Sequence, residues 1–174
     1  MKPFAIVLHG PTSAGKSATA TALQECAPVP AFHVTLDAFV TMSRRRDMRS
    51  AEEQRLAYHI HCENLRSTLR RLVDTDFEII LDTVLRDEEE LQACIDVLSA
   101  RSLCLVGIKA PLDTLEHRES LRDDRATGMA REQLGHPAFA RPYDVMIDTS
   151  TCSPKEAAKV IRRFMEASRG TPRQ

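Results

Sequence analysis

Apolar residues along this chain fall into two patterns. Short continuous runs lie within Met1 to Leu8 and at Ala31 to Leu36, Phe77 to Leu81, Leu103 to Ile108 and Val145 to Ile147. They lack the alternation of a strand with one wet face, so they are expected to be buried strands of a parallel sheet. Between them the spacing turns helical. Leu91, Cys94, Ile95 and Leu98 recur at i, i+3, i+4 and i+7 behind the acidic turn Asp87 to Glu90, which suits the positive end of a helix dipole. Ser153-Pro154-Lys155-Glu156 combines a capping box with Pro at the first helical position. The apolar face of that helix is expected to be Ala157, Val160, Ile161, Phe164 and Met165. A second capping box, Ser50 with Glu53, opens a helix running to about Val73, with Leu56, Ile60, Leu65, Leu69 and Leu72 as its expected buried stripe.

Strands alternating with helices predict an open α/β sheet with helices on both faces and ligands at the C-terminal strand ends. Residues 1–168 are expected to form one domain, because 174 residues are too few for two ordinary cores. The tail, 169–174, is expected to fray.

The first strand runs straight into Gly10-Pro11-Thr12-Ser13-Ala14-Gly15-Lys16-Ser17, the spacing G-x-x-x-x-G-K-[ST] between a strand and a helix. Gly10 and Gly15 permit close approach, so that backbone N–H groups can face phosphate oxygens. Lys16, expected to be partly exposed in this loop, adds a point charge toward the β- and γ-phosphates. Ser17 offers a hydroxyl to magnesium, and a helix from about Ser17 to Glu25 presents its positive end. The pattern points to a P-loop that binds ATP with Mg2+.

Acids at two strand ends supply further chemistry. Asp37, past the second run, is placed either to accept the proton of an acceptor hydroxyl or to cap the following helix. Asp82, ending the third run, stands where an acid orients magnesium, or is a turn residue. Arg118, Arg122 and Arg125 share a helical face: either a row over the phosphates, with Gly128 as a hinge, or a solvated face paired with Glu119, Asp123 and Asp124. Arg44-Arg45-Arg46, with Arg49, forms a basic rim or an exposed loop. His59, His61 and Cys62 lack a second pair at zinc spacing. His136 fits either a substrate contact or the surface.

A formal net charge of -1 gives no overall pull toward nucleic acid or an anionic membrane. Five scattered cysteines without a C-x-x-C pair fit reduced, buried thiols of a cytoplasmic protein, and no export or membrane signal is visible. The oligomeric state is left open.

In order along the chain, Gly10 to Ser17, Asp37-Ala38-Phe39, Ile79 to Val84, Val106-Gly107-Ile108, Glu116 to Ser120, Asp124 to Ala130 and Tyr143 to Thr149 resemble the chloramphenicol phosphotransferase-like family, P-loop kinases of small molecules. The resemblance implies a five-stranded parallel sheet and ATP as donor. It also implies Asp37 as base toward an acceptor hydroxyl, and a small helical lid, about 116–135, carrying Arg122 and Arg125 onto the phosphates. It is weakest from Thr41 to Asp76, which departs from the family's drug-binding segment, so chloramphenicol is not the expected physiological substrate. The expected activity is ATP- and magnesium-dependent O-phosphorylation of a small hydroxylated acceptor. Gluconate-, shikimate- or adenylylsulfate-type and zeta-toxin-like kinases, and a non-catalytic ATP-binding regulator, are the alternatives.

Overall fold

The computed structural model describes residues 3–44, 47–121 and 128–168. Five strands, β1 (Phe4–His9), β2 (Ala31–Thr35), β3 (Glu78–Thr83), β4 (Ser102–Lys109) and β5 (Val145–Asp148), form one sheet in the order β2-β3-β1-β4-β5. Every pairing is parallel. The connections are helical: α1 (Lys16–Glu25), α2 (Leu36–Val40), α3 (Ala51–Leu72), α4 (Glu88–Leu98), α5 (Leu112–Ser120) and α6 (Met129–Leu134), with α7 (Pro154–Ser168) closing the chain.

Side chains alternate across each strand, so β1 feeds two cores. Phe4, Ile6 and Leu8 pack with Leu23 of α1, Leu115 of α5 and Ile161 and Met165 of α7. Ala5 and Val7 face the other way, toward Leu65 and Leu69 of α3 and Leu91 and Leu98 of α4. Continuous apolar runs therefore reflect a sheet covered on both sides. Truncating a fully buried leucine such as Leu65 or Leu69 would cost about 2–5 kcal/mol.

Helix starts follow their local chemistry. Asp87 accepts the N–H groups of Glu89 and Glu90 to open α4, and Ser153 and Glu156 bond reciprocally at the start of α7. At α3, Ser50 accepts the Glu53 N–H, but the Glu53 carboxylate reaches back to the backbone of Arg49 rather than Ser50.

Two expected faces are corrected. Leu56 and Ile60 are exposed, and His61, Cys62, Leu65 and Leu69 form the buried stripe of α3. At 100° per residue, Leu56 lies about half a turn around the helix from Leu65. On α7, Val160 is 45% exposed while Ala158 takes an inner position. Cys62, Cys94 and Cys104 are buried as expected, whereas Cys26 is exposed. Among the described residues, no helix is long and apolar enough to cross a membrane.

Candidate active site

Sheet order brings the reactive residues together. β1 lies beside β3, with Leu8 opposite Asp82, and β2 lies on the other side of β3, with Thr35 opposite Asp82. The phosphate loop leaving β1, the turn leaving β2 and the acid of β3 thus share the C-terminal edge of the sheet. There they line a pocket of about 240 Å³ that includes Thr12, Ser13, Gly15, Lys16, Ser17, Asp37, Asp82 and Arg118.

The loop has the backbone of an anion cradle. Ser13 (φ 60°) and Gly15 (φ 91°) are left-handed, a conformation rare for a residue with a side chain and one that turns neighbouring N–H groups toward a common side. Gly10 answers to packing instead: a Cβ there would sit 2.1 Å from the carbonyl oxygen of Ile108 on β4. Pro11 and Ala14 contribute carbonyls rather than pocket wall. Pro11 O accepts from Lys16 Nζ (2.8 Å), and Ala14 O accepts from the Thr149 hydroxyl (2.7 Å).

Lys16 is only 7% exposed, contrary to the expected partly exposed loop residue. It is the first residue of α1, so its ammonium folds back under the loop instead of standing in solvent.

Ser17 donates to Asp82 Oδ2 at 2.6 Å, and His33 Nε2 lies 3.3 Å from the same oxygen. Burial opposes charge on Asp82, but the His33 and Ser17 hydrogen bonds and the nearby Lys16 charge outweigh it and hold the carboxyl below its usual range. The acid is ionised at neutral pH. A carboxylate and a hydroxyl beside a phosphate cradle fit magnesium, which prefers oxygen ligands and takes one or two carboxylates plus phosphate oxygens and water.

Asp37 lies in the first turn of α2 and is exposed to the pocket. It does not cap that helix. Thr35 is the N-cap, its hydroxyl accepting the Asp37 N–H at 3.3 Å.

Arg118 is held over the loop by Thr149, donating to its hydroxyl and its carbonyl at 2.8 Å each. Arg122 and Arg125 lie outside the described residues, as do Asp123 and Asp124. Glu119 is buried, and its two carboxylate oxygens accept the N–H groups of Gly128 and Ala130. From α6, buried Gln133 accepts the Thr12 N–H at 2.6 Å, tying α6 to the phosphate loop.

His9, at the end of β1, is fully buried between the Leu85 carbonyl (2.7 Å) and the Tyr143 hydroxyl (2.8 Å). A carbonyl only accepts, so Nε2 carries the proton and Nδ1 accepts from Tyr143. Burial pushes its pKa down to about 4, against the Leu85 bond and with help from Lys16 and Arg141.

Other candidates lie elsewhere. Arg44 pairs with Asp47 and Arg49 with Glu53, while Arg45 and Arg46 lie outside the described residues. His59 lies near Glu63 and Glu90. No group of three or more potential metal-binding side chains is present among the described residues. His136 caps the 3-10 turn Pro137–Ala140.

Sequence reasoning missed His33, Thr149, Gln133 and His9. A signal existed for His33: a histidine inside an apolar run, two residues before Thr35, shares that residue's face of the strand. Gln133 and Thr149 carried none, since each acts across more than a hundred residues of chain.

The profile of the chloramphenicol phosphotransferase-like protein family matches residues 4–166, nearly the whole chain. The chain belongs to this family. No curated protein matches it. Among solved structures, the tunicamycin resistance protein of Deinococcus radiodurans superposes with a TM-score of 0.65 at 21% identity, over 94% of this chain and 95% of that one. Shikimate kinase from Acinetobacter baumannii, in complex with shikimate, gives 0.70 at 15% identity, over 97% and 96%. The Mycobacterium tuberculosis APS kinase, in complex with AMPPNP and APS, gives 0.68 at 15% identity, over 95% and 98%. At these identities the likeness is one of fold. Family and fold together are those of small-molecule kinases.

Proposed function

We propose that this chloramphenicol phosphotransferase-like protein is an ATP- and Mg2+-dependent O-phosphotransferase acting on a small hydroxylated acceptor. The observation that carries the reading is that Lys16, Ser17, Asp37 and Asp82 line one pocket beneath a left-handed phosphate loop. When bound, ATP would supply the phosphoryl group and magnesium would neutralise phosphate oxygens. Ser17 and Asp82 are the oxygen donors that would hold the metal, and Lys16 would exchange the Pro11 carbonyl for phosphate oxygens. Ser13 and Gly15 offer backbone N–H groups, the Thr12 N–H being taken by Gln133, and Arg118 reinforces the loop through Thr149. We assign the lid role to Arg122 and Arg125, as countercharge for the transferring group.

In this mechanism Asp37 accepts the acceptor's hydroxyl proton as the oxygen attacks the γ-phosphorus. One bond forms to phosphorus, the bond to the ADP oxygen breaks, and the proton rests on Asp37. ADP release in the presence of hydroxylated acceptors tests the reading, with Lys16→Ala as the control. Acceptor-independent nucleotide binding, with no turnover across a broad panel, would favour the non-catalytic regulator.

A further inference from the structure

A second cavity, of about 570 Å³, is lined by α2, α3 and the segment after β3. It adjoins the phosphate pocket through two elements. On α2, Asp37 lines the phosphate pocket and Val40, one helical turn on, lines the groove. At the end of β3 and just beyond it, Thr83 and Val84 line the first and Arg86 the second. A molecule lying in the groove can therefore extend toward Asp37. The volume is that of a site for a metabolite- or drug-sized ligand.

Its lining defines a chemistry. Val40, Met48, Ala57 and the Tyr58 ring form an apolar wall, and among the described residues no carboxylate lines the groove. Two guanidinium groups do: Arg86, already paired with Glu132, and Arg55, for which no ion pair is found among the described residues. Arginine clasps carboxylates through parallel N–H bonds. His61 supplies an independent mark of a ligand. It is only 6% exposed, its Nε2 lies 2.7 Å from the Ser43 hydroxyl, and its Nδ1 is buried with no partner among the described residues. Buried polar atoms rarely stay unpaired, and this ring belongs to the groove wall.

We infer that the groove is the acceptor subsite and that its occupant is a hydroxy acid: an apolar body with a carboxylate held by Arg55 and Arg86, a polar group meeting His61 Nδ1, and the hydroxyl directed toward Asp37. This inference rests on the kinase reading of the neighbouring pocket and adds its substrate class.

The test uses the full chain with AMPPNP and Mg2+ and three probe pairs: 4-(hydroxymethyl)benzoate, 3-phenyllactate and 6-hydroxyhexanoate, each beside its neutral carboxamide. Binding is read by ligand-observed NMR titration. Acids are expected to bind at least about tenfold more tightly than their amides, the scale of one charge-assisted pair. Arg55→Gln is expected to abolish that preference and His61→Phe to weaken both members of a pair, each with AMPPNP affinity unchanged. Equal binding of acids and amides, or binding of neither in any pair, overturns the inference. ADP release is measured on the same samples. Turnover of neutral acceptors without an acid preference leaves the kinase reading standing and removes this one. Acid-selective, Arg55-dependent binding without any ADP release keeps the groove as a carboxylate-binding site but removes its role as acceptor subsite together with the kinase reading.

Discussion

The Ser17 hydroxyl and the Asp82 carboxylate, 65 positions apart in sequence, meet at 2.6 Å, with His33 3.3 Å from the same carboxylate oxygen. Three elements converge on one carboxylate, which together with the Ser17 hydroxyl would hold magnesium in the proposed kinase. Asp82→Asn keeps the shape but removes the charge. It is expected to raise the magnesium concentration needed for tight AMPPNP binding by roughly tenfold or more, and His33→Ala, which removes a supporting residue, by a smaller factor. Isothermal titration with and without magnesium checks this. Affinities insensitive to both changes would place the metal elsewhere.

Lys16 is buried against Pro11, so its replacement touches packing as well as charge. Lys16→Ala is expected to lower turnover by about a hundred- to a thousandfold, as for loss of one preorganised electrostatic group, with an unchanged far-ultraviolet circular dichroism spectrum. Lys16→Met, which keeps the stem, should do the same. Parental turnover in either variant would remove the phosphate role.

Asp37 separates a kinase from a nucleotide binder, because Thr35 already caps α2. Asp37→Asn is expected to slow acceptor phosphorylation by on the order of a hundred- to ten-thousandfold, the range for loss of a general base, while AMPPNP affinity stays near parental. The thermal midpoint should move little, since asparagine keeps the shape of the side chain and a first-turn dipole interaction is worth about 0.3–1 kcal/mol. An undiminished rate would exclude Asp37 as the base.

His9 predicts a pH dependence of stability. Its pKa falls from 6.5 to about 4 on folding, so between those values the unfolded chain binds the extra proton. Stability from this residue is full above about pH 6.5, declines as pH falls, and is lost below about pH 4. The loss amounts to about 3 kcal/mol, since each tenfold change in proton affinity is worth roughly 1.4 kcal/mol. Urea unfolding at pH 7 and pH 5 should show the decline, and His9→Gln should flatten it. An equally steep decline in that variant would assign the proton to another group.

How much could be read from the chain alone depended on the range of each interaction. Buried strands, helix caps and the phosphate loop are set by neighbouring residues, through periodicity, hydrogen bonds spanning three or four positions and glycine's freedom. The five runs, the acidic helix start at Asp87 to Glu90, the cap at Ser153 and the loop from Gly10 to Ser17 were therefore legible. Which side of α3 faces inward was not, because Leu56 and Leu65 are equally apolar and only the docked helix distinguishes them. Nor was the company Asp82 keeps. His33 and Ser17 reach it because β2 and β1 flank β3, an order of strands that local preference does not encode. The burial of Lys16 and the bond from Thr12 to Gln133 likewise arise only when separate segments pack, since each depends on a neighbour's position and not on a neighbour's type.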